Sequence, residues 1–441
     1  MDDDAEIVDL DIQVEYVDNV AGIDIAKASA MVCTRIPSKN PARRIQKTFQ
    51  VGATTQEIIE LANHLVSLGI ELVVMEATSV YWKPYFFILE AHGLKVWLVN
   101  ARDVKNVPGR PKTDKLDAIW LAKLTERGML RPSFVPPKPI RELRDLTRLR
   151  KTLVEERARY RQRIEKILED ACIKISDKNK GASDLFGASG RAILDGLVAG
   201  ERNPRILADR VKGQLRNKIP YLITALQGQF TAHHGHLIAT ILELHDHLTT
   251  TIERLDREID AAVTALDPTP PPDPDHPHRM PLLERLDEIP GIGRETASAV
   301  IAEIGLDMST FTTPGHLSSW AKLTPRAIQS GTTNTHGPAG KGNRWLKGPL
   351  TQAATNTQRT KTFLGARYKR IIKHAPKKKA QTAVARNILE IFWLLIQDPD
   401  ARFTDLGPDW HEQHLNNARR TRQRIRELEN LGYTVTHTTA A

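Results

Sequence analysis

The sequence is poor in cysteine, with only Cys33 and Cys172 among 441 residues. The two lie far apart and show none of the short spacings of metal-binding cysteines. The two cysteines therefore argue against a disulfide framework or a zinc site. Such low cysteine usage is typical of proteins that work in a reducing compartment.

Long apolar runs are also missing from the sequence. No stretch approaches the roughly 20 apolar residues that a transmembrane helix needs. The first residues, MDDDAEIVDL, are acidic where a signal peptide begins with a basic segment. We therefore expect a soluble, cytoplasmic protein without a membrane partner.

Positive charge is what the chain has in excess. Lys and Arg number 63 against 53 Asp and Glu, which gives a formal net charge of +10 and a pI near 9.5. The first 19 residues are acidic, whereas basic residues cluster in 138–166, 367–379 and 418–425. This imbalance favours a polyanionic partner such as nucleic acid, because each phosphate contacted releases condensed counterions. An acidic protein partner fits the same charge and stays open.

The length predicts more than one domain, and the composition changes along the chain. We predict an acidic extension, an α/β domain, a coiled-coil or helical region, a proline-rich linker, a helical C-terminal domain and a charged helical tail. Their boundaries are 1–19, 20–137, 138–266, 267–280, 281–400 and 401–441. The predicted fold class is α/β plus all-α.

The α/β domain begins with three strand signals in succession, VAGIDIAK, ASAMVCTRI and RRIQKTFQV. A helix signal follows in TTQEIIELANHLVSLG, whose threonines suit capping, and the apolar run 71–77 is typical of a buried central strand. A last helix is predicted over 110–128. Three hairpin-like strands and then αβαβα is the order of a ribonuclease-H-like domain, although strand–helix alternation fits other α/β folds too.

The region 138–266 contains two long amphipathic runs, 141–172 and 237–266. Their apolar residues recur every three or four positions, with charged residues between them in the first run. This pattern predicts two long helices that pack as a coiled coil, either within one chain or between subunits. The stretch DPTPPPDPDHPH that follows predicts an extended, semi-rigid linker.

Four carboxylates stand where they could hold a metal ion. Asp24 in GIDIAK and Glu76 in VVMEATS lie in apolar strand segments, where a charge is costly unless it is paired or accessible. Asp114 and Asp117 are three residues apart, so both project from one helix face. Such a set suits Mg²⁺, which binds carboxylate oxygens and substrate phosphates. Two such ions can activate the attacking oxygen and stabilise the leaving oxygen of a phosphodiester reaction. Taken alone, the D-x-x-D pair is more typical of a solvated helix surface.

The most specific motif is LDEIPGIGRETASAVIAEIG, residues 286–305. Pro-Gly-Ile-Gly joins two short helices, with Ile289 and Val300 at packing positions, which predicts a helix-hairpin-helix. Gly291 and Gly293 permit a tight turn that exposes backbone N–H groups. Such groups can bind a phosphate without reading sequence. An ordinary helical turn with a glycine cap is the alternative.

The next stretch, 316–357, predicts a loop rich in Ser, Thr and Gly, followed by a basic helix. This helix would present Lys341, Arg344 and Lys347 to nucleic acid. A hydroxyl near these cations and a metal could attack a phosphorus once it is activated. The candidate hydroxyls are those of Ser318, Ser319, Ser330, Thr332 and Thr333. Chemistry alone does not choose among them, and a solvated loop serine is the plain alternative.

Five segments of the chain, in this order, resemble motifs of the DEDD insertion-sequence transposases, a family that also includes the Piv-type DNA invertases. They are GIDIAK, VVMEATSVYWKP, NARDVKNVPGRPKTDKLDA, IPGIG and LTPRAIQSG…GNRWLK. The resemblance covers roughly residues 20–130 and 280–397. The long helices between these two parts also fit the family plan.

The resemblance implies a RuvC-like, ribonuclease-H-type N-terminal domain and a C-terminal transposase domain with a serine nucleophile. The D, E, D and D carboxylates of the family match Asp24, Glu76, Asp114 and Asp117. The family loop reads roughly P-R-x-x-S-S-G, and this chain reads PRAIQSG. Ser330 therefore matches the second serine, and Gln329 replaces the first.

The activity implied by the resemblance is strand cleavage and rejoining through a transient phosphoserine link, with Mg²⁺ held by the carboxylates. Its partners would be DNA, as element ends and target, and further copies of the chain in a dimer or tetramer. Some family members are directed by a structured non-coding RNA, for which the basic helix 138–166 and the tail would be contacts. Two alternatives stay open: a RuvC-like nuclease that hydrolyses branched DNA, and a non-enzymatic nucleic-acid-binding protein.

Overall fold

Two units make up the chain, one built around a sheet and one mostly helical. A computed structural model describes residues 17–40, 43–77, 79–100, 113–177, 180–277, 279–330, 333–411 and 417–434. The first unit extends to Val135 and the second starts at Pro136. The predicted combination of an α/β part and a helical part is confirmed. In the described ranges, no helix has both the length and the apolar character that a membrane crossing requires.

A five-stranded mixed sheet forms the centre of the first unit. Its strands are β1 (Val20–Ile25), β2 (Ser29–Pro37), β3 (Arg44–Gly52), β4 (Leu72–Glu76) and β5 (Lys95–Val99). They lie in the order β3-β2-β1-β4-β5. The first three strands pair antiparallel, and β4 is parallel to both β1 and β5. A meander followed by parallel strands agrees with the order of the strand signals and is consistent with a RuvC-like domain.

Helices cover both faces of this sheet. They are α1 (Thr55–Ser67), α2 (Trp82–Ala91) and α3 (Asp114–Glu126). The side chain of Thr54 caps α1, as the sequence predicts. Ile23 and Met75 are buried in a cluster with residues of α1 and α2. On the opposite face, Val74 is buried with Leu121 of α3. The alternation of side chains along β1 and β4 thus separates two apolar layers.

Two long helices, α4 (Lys138–Asp170) and α8 (Ala232–Leu266), run through the second unit. They are antiparallel, because Arg150 pairs with Asp256 while Asp170 lies 3.0 Å from Nε2 of His234. The predicted pair of long helices therefore packs within one chain.

The residues between these helices form a small helical tip. It consists of α5 (Ala188–Val198), α6 (Pro204–Asp209), a 3₁₀ turn (Gly213–Lys218) and α7 (Ile219–Ala225). Ile193 and Leu222 of the tip are buried with Ile164 of α4 and Ile238 of α8. Because this stretch contains many glycines and basic residues, its sequence does not clearly predict a buried core.

The C-terminal part of the second unit consists of helices and one hairpin. Its helices are α9 (Leu282–Asp287), α10 (Arg294–Ile304), a 3₁₀ turn (Met308–Thr310), α11 (Pro314–Trp320), α12 (Arg344–Thr357), α13 (Phe363–Ile372), α14 (Lys377–Gln397) and α15 (Asn417–Asn430). α11, α12 and α13 pack around α14, whose Leu389 and Phe392 are fully buried. α9 and α10 flank the IPGIG turn, and Ile289 and Val300 are buried as predicted.

The stretch predicted as a loop contains a β-hairpin, so that prediction was wrong. β6 (Arg326–Ser330) pairs antiparallel with β7 (Thr333–Gly337), and residues 331 and 332 between them lie outside the described residues. The composition of Ser, Thr and Gly indicates a loop only on average. The β-branched Ile and Thr residues in this stretch favour paired strands.

Candidate functional site

Asp24 and Glu76 lie at the same end of the central pair of parallel strands. Ile23 of β1 is in register with Met75 of β4, so the two acidic residues come next on neighbouring strands. Both are half-buried, and both make further interactions within the protein. Because strand side chains alternate, they belong to the face opposite Ile23 and Met75. This is the face that α3 covers.

The direction of α3 brings its first turn to that end of the sheet. Nε of Arg35 lies 2.8 Å from the carboxylate of Glu126, the last residue of α3. Arg35 stands opposite Val20, at the start of β1. α3 therefore runs against the direction of β1, and its N-terminal residues Asp114 and Asp117 lie towards the end of the strand. All four predicted carboxylates thus belong to one end of the first unit.

Gly22 permits the close packing of α3 on β1. A Cβ atom at this position would lie 2.6 Å from the carbonyl oxygen of Ala118 and 2.6 Å from the amide nitrogen of Ala122. Both alanines are fully buried. Only a residue without a side chain allows the helix backbone this near to the strand. The small residues therefore set the position of the helix that carries two of the carboxylates.

The four carboxylates do not form a closed set of metal ligands in the part of the chain that the structure describes. No three His, Cys, Asp or Glu side chains there are grouped so that they could hold one ion. Asp114 is exposed and Asp117 is half-buried, and residues 101–112, which lead into α3, are not among the described ones. Carboxylate oxygens are the donors that Mg²⁺ prefers. The donor chemistry fits this ion, and its binding here is a proposal.

Ser330 is the last residue of β6 and stands opposite Thr333 in the hairpin. Another candidate nucleophile, Ser318, is fully buried in α11 and donates a hydrogen bond of 3.4 Å to Oε1 of Glu390. A phosphate in solution cannot reach Ser318. Its neighbour Ser319 is exposed. The structure therefore removes one of the five candidate hydroxyls.

The turn between α9 and α10 is packed against α12. Gly291 has a φ of +86°, and a Cβ atom there would lie 2.6 Å from the carbonyl oxygen of Ala353. Gly293 is the N-cap of α10 and makes no side-chain cap, so the amides after it have no partner within the helix. Gly291 thus serves the packing of the turn, whereas the amides predicted for phosphate binding follow Gly293. The helix-hairpin-helix assignment stays a prediction.

Gly291→Ala is expected to lower the free energy of unfolding by about 2–4 kcal/mol, because it adds steric overlap to an unfavourable φ. Urea denaturation measures this loss. Gly200→Ala is the control, since Gly200 also has a positive φ, +93°, but a Cβ atom added there would meet no atom within 4 Å. This control should lose only about 1 kcal/mol. Equal losses in the two variants would show that contact with α12 is unimportant.

The buried carboxylate of Glu303 joins three helices of the second unit. It is 1% exposed and accepts two hydrogen bonds from Arg148, of 2.8 and 2.9 Å. It also accepts one of 2.5 Å from the side chain of Asn343, the N-cap of α12. Nε of Arg144 lies 3.5 Å away. Burial lowers the pKa of Arg144, and the charge of Glu303 offsets part of this effect. Glu303 therefore fixes the start of α12 to α4.

Glu303→Gln is expected to destabilise the chain by about 2–3 kcal/mol, because a buried ion pair loses one partner. The cost lies at the lower end for such pairs since the side chain of Arg148 is 33% exposed. Chemical denaturation monitored by circular dichroism tests this. Glu142→Gln, which removes an exposed carboxylate 3.8 Å from Lys138, should have little effect. A Glu303→Gln variant as stable as Glu142→Gln would contradict the assignment.

The three cations predicted to face nucleic acid have different surroundings. Lys341 is exposed but precedes α12, which begins at Arg344, so it is not part of the predicted helix. Arg344 is exposed at the first position of the helix. Nζ of Lys347 donates to the carbonyl oxygens of Lys322 (3.2 Å) and Gly340 (2.9 Å), and burial lowers its pKa. Lys347 thus holds the segment before α12 in place.

Much of the positive charge of α4 is used inside the second unit. The arginines with partners on other elements are Arg144 and Arg148 (Glu303), Arg150 (Asp256 and Glu295), Arg157 (Thr249) and Arg161 (His245). These contacts explain why so basic a helix can pack against its neighbours. The helix therefore offers less charge to a nucleic acid than its sequence indicates.

Trp345 is a residue of interest that the sequence-based prediction missed. It is half-buried and lines a cleft of about 1160 Å³ between α4, α8, the start of α10 and α12. The guanidinium carbon of Arg344 lies 4.4 Å from the ring centre, and the cationic groups of Arg148 and Lys151 each lie 5.5 Å from it. The available signal was the aromatic residue between basic ones in the string GNRWLK.

Known families match two segments of the chain. Residues 21–173 match a model for DEDD transposases of the IS110 type, described as a transposase. Residues 283–369 match a model described as transposase, IS116/IS110/IS902 family. Together the two matches cover more than half of the chain. The chain belongs to the IS110 transposase family. The first match contains the four carboxylates, and the second contains Ser330.

Two relatives extend this family assignment. The insertion element IS110 uncharacterized 43.6 kDa protein of Streptomyces coelicolor is 42% identical over 69 residues, which are 15% of this chain and 16% of that protein. The pilin gene-inverting protein of Moraxella bovis is 24% identical over 314 residues, which are 70% of this chain and 73% of that protein. This member of the IS110 family thus aligns with about a sixth of the first relative's length and nearly three quarters of the second's.

Proposed function

We propose that the chain is a DNA transposase, a site-specific recombinase that cuts and rejoins DNA strands. The observation that carries this proposal is the pair of family matches, on the segment with the carboxylates and on the segment with the serine hairpin. The Moraxella bovis relative supports it, because it is named for inverting a gene. Inversion requires that DNA strands be cut and rejoined.

In the proposed reaction, Oγ of Ser330 attacks a phosphorus of the DNA backbone. A bond forms between Oγ and phosphorus, the bond from phosphorus to one sugar oxygen breaks, and the serine proton is transferred to that leaving oxygen. The resulting phosphoserine ester preserves the energy of the phosphodiester bond. A second sugar hydroxyl then attacks the same phosphorus, and the bond between phosphorus and Oγ breaks. The proton of that hydroxyl is transferred to Oγ, so the new strands are joined and the serine is restored.

The carboxylates Asp24, Glu76, Asp114 and Asp117 would hold Mg²⁺ in this reaction. Bound Mg²⁺ supplies neutralisation of charge at the attacked phosphate and activation of the attacking oxygen. The placement of the four residues at one end of the first unit supports this role. The half-buried positions of Asp24, Glu76 and Asp117 support it as well, since a carboxylate removed from water gains most from a cation.

DNA is the proposed partner, as element ends and target. We extend the proposal to a structured guide RNA and to a homo-oligomer, acting in the cytoplasm. The exposed Arg424 and Arg426 of α15 support a polyanionic partner at the C-terminal tail. Contacts along α4 are less favoured, because many of its arginines are paired within the protein.

A search for a covalent protein–DNA adduct tests the proposed function. Full-length chain is incubated with Mg²⁺ and element-end DNA, together with RNA transcribed from the element, and analysed on denaturing gels. An adduct that forms with Mg²⁺ and not with a chelator is expected. Metal-dependent cleavage without an adduct would favour the hydrolytic nuclease. Binding without cleavage on every substrate would favour a non-enzymatic binding protein.

A further inference from the structure

The cleft beside Trp345 has two walls of different charge. On one wall two arginines lie beside carboxylates: Arg150 contacts Asp256 and Glu295, and Arg294 lies 3.9 Å from Asp260. On the other wall, cations surround the indole of Trp345. The carboxylates of Glu155 and Asp287 also line the cleft, and the cations nearest to the indole are those of Arg148, Lys151 and Arg344.

Among the described residues, two of the three cations around Trp345 have no carboxylate partner. Arg148 is fixed to the buried Glu303. Within the described ranges, no ion pair involves Lys151 or Arg344, and the ring is the group they approach. Like charges held near one another raise the free energy of the unbound site. An anion that binds between them would remove this repulsion.

Two residues of α12, Gly348 and Pro349, affect the surroundings of Lys151 and Trp345. A Cβ atom on Gly348 would lie 2.8 Å from Nζ of Lys151, so the glycine leaves room for the ammonium group. The next residue, Pro349, has no N–H and lies inside the helix, which leaves the carbonyl oxygen of Trp345 without its usual helical donor. The cleft of about 1160 Å³ exceeds the roughly 300–1,000 Å³ of typical small-molecule sites. A nucleotide fits such a space.

We propose that Trp345, Lys151 and Arg344 form a binding site for an unpaired nucleotide of a DNA or RNA strand. The indole stacks on the base, and the two cations contact the adjacent phosphates. Arg344 covers the ring in the free chain and turns to a phosphate when a base stacks. Bases in a duplex stack on one another and do not present a face to the indole, so the site selects single-stranded segments. This inference rests on the proposed function, in which DNA strands are opened and exchanged.

Binding of labelled single strands, compared with the corresponding duplex, tests the inference. Fluorescence anisotropy with the full-length chain gives the dissociation constants for DNA and RNA strands of one sequence. Trp345→Leu should weaken binding of single strands by about 5- to 150-fold and leave duplex binding nearly unchanged. Trp345→Phe, which keeps an aromatic face, should retain most of the affinity. Comparison of the DNA and RNA arms shows which strand the site prefers.

A matched pair of charge variants tests the phosphate contact. Arg344→Gln removes a cation at the start of α12, and Arg359→Gln removes an exposed one just beyond its end. The slope of log affinity against log salt for single strands should fall by about 0.7 in the first variant and stay unchanged in the second. Lys151→Gln should resemble Arg344→Gln.

Outcomes that overturn the inference are distinct from failure of the proposed function. Wild-type affinity of Trp345→Leu for single strands, or an equal loss on duplex DNA, contradicts the stacking site even if the covalent adduct forms. If Trp345→Leu does not fold, as judged by its melting curve, Arg344→Gln and Lys151→Gln decide, and wild-type salt slopes in these two variants contradict the site. A chain that stacks single strands through Trp345 and yet forms no adduct would retain the site and lose the proposed reaction.

Discussion

Replacing Ser330 with alanine is expected to abolish the covalent protein–DNA adduct and the rejoining of strands. The serine hydroxyl forms the ester, so its removal eliminates the step and should lower product formation by a factor of about 10³ or more. Denaturing gels of full-length chain with Mg²⁺ and element-end DNA measure adduct and rejoined product together.

Ser319→Ala is the matched control for this variant, because Ser319 is an exposed serine of the same C-terminal part. It loses the same hydroxyl and should form adduct as the wild type does. Melting curves of both variants establish that the chain is folded. Metal-dependent cleavage that persists in Ser330→Ala would assign the chemistry to water and refute the serine mechanism.

Replacing Asp24 with asparagine is expected to slow Mg²⁺-dependent strand cleavage by on the order of 10³-fold, since a bound metal contributes several kcal/mol of transition-state stabilisation. The fold should persist, because the buried residues Ile23 and Ile25 hold β1 in the sheet. Cleavage rates over a Mg²⁺ titration and the melting temperature separate the two effects. Asp114→Asn and Asp117→Asn should also weaken Mg²⁺-dependent cleavage without unfolding the chain.

Glu71→Gln is the control for the carboxylate variants. Glu71 is exposed and precedes β4, at the end opposite Glu76. Glu71→Gln therefore removes one negative charge at the end of β4 that is far from the candidate metal site, and cleavage should be unchanged. Glu76→Gln should instead behave like Asp24→Asn. Full activity of Asp24→Asn across the Mg²⁺ titration would remove Asp24 from the metal site.

The first unit could be predicted from sequence because its signals are local. The apolar run 71–77 predicts a buried strand, and β4 occupies Leu72–Glu76. The helix predicted over 110–128 is present as Asp114–Glu126, capped by Thr113. Short runs of β-branched residues and capping side chains act within a few residues of themselves, so they can be recognised without knowledge of the tertiary structure.

The second unit could be predicted only in outline because its decisive contacts join distant residues. The basic run of α4 predicts a surface for RNA, yet Arg148 pairs with Glu303, 155 residues further on. The hairpin of β6 and β7 depends on strand pairing, which the average content of Ser, Thr and Gly does not indicate even though the β-branched residues of the stretch favour strands. The role proposed for Trp345 depends on its contact with Lys151, which lies on another helix. Partners of this kind become visible only when the helices are packed.

The arrangement of the candidate carboxylate site depends both on a local sequence pattern and on contacts between distant residues, and the direction of α3 shows this. The sequence alone places Asp114 and Asp117 on one helix face. Their position at the end of β1 follows from the ion pair of Glu126 with Arg35 and from the small residue Gly22. Neither contact is signalled by the D-x-x-D pattern.

Mass spectrometry of the trapped covalent complex tests the central claim most directly. The complex formed with Mg²⁺ and element-end DNA is digested with protease and nuclease, and the modified peptide is sequenced. The expected result is a nucleotide attached through a phosphate to the side chain of Ser330. A phosphate on any other residue, or cleaved DNA without a modified peptide, would contradict the serine mechanism.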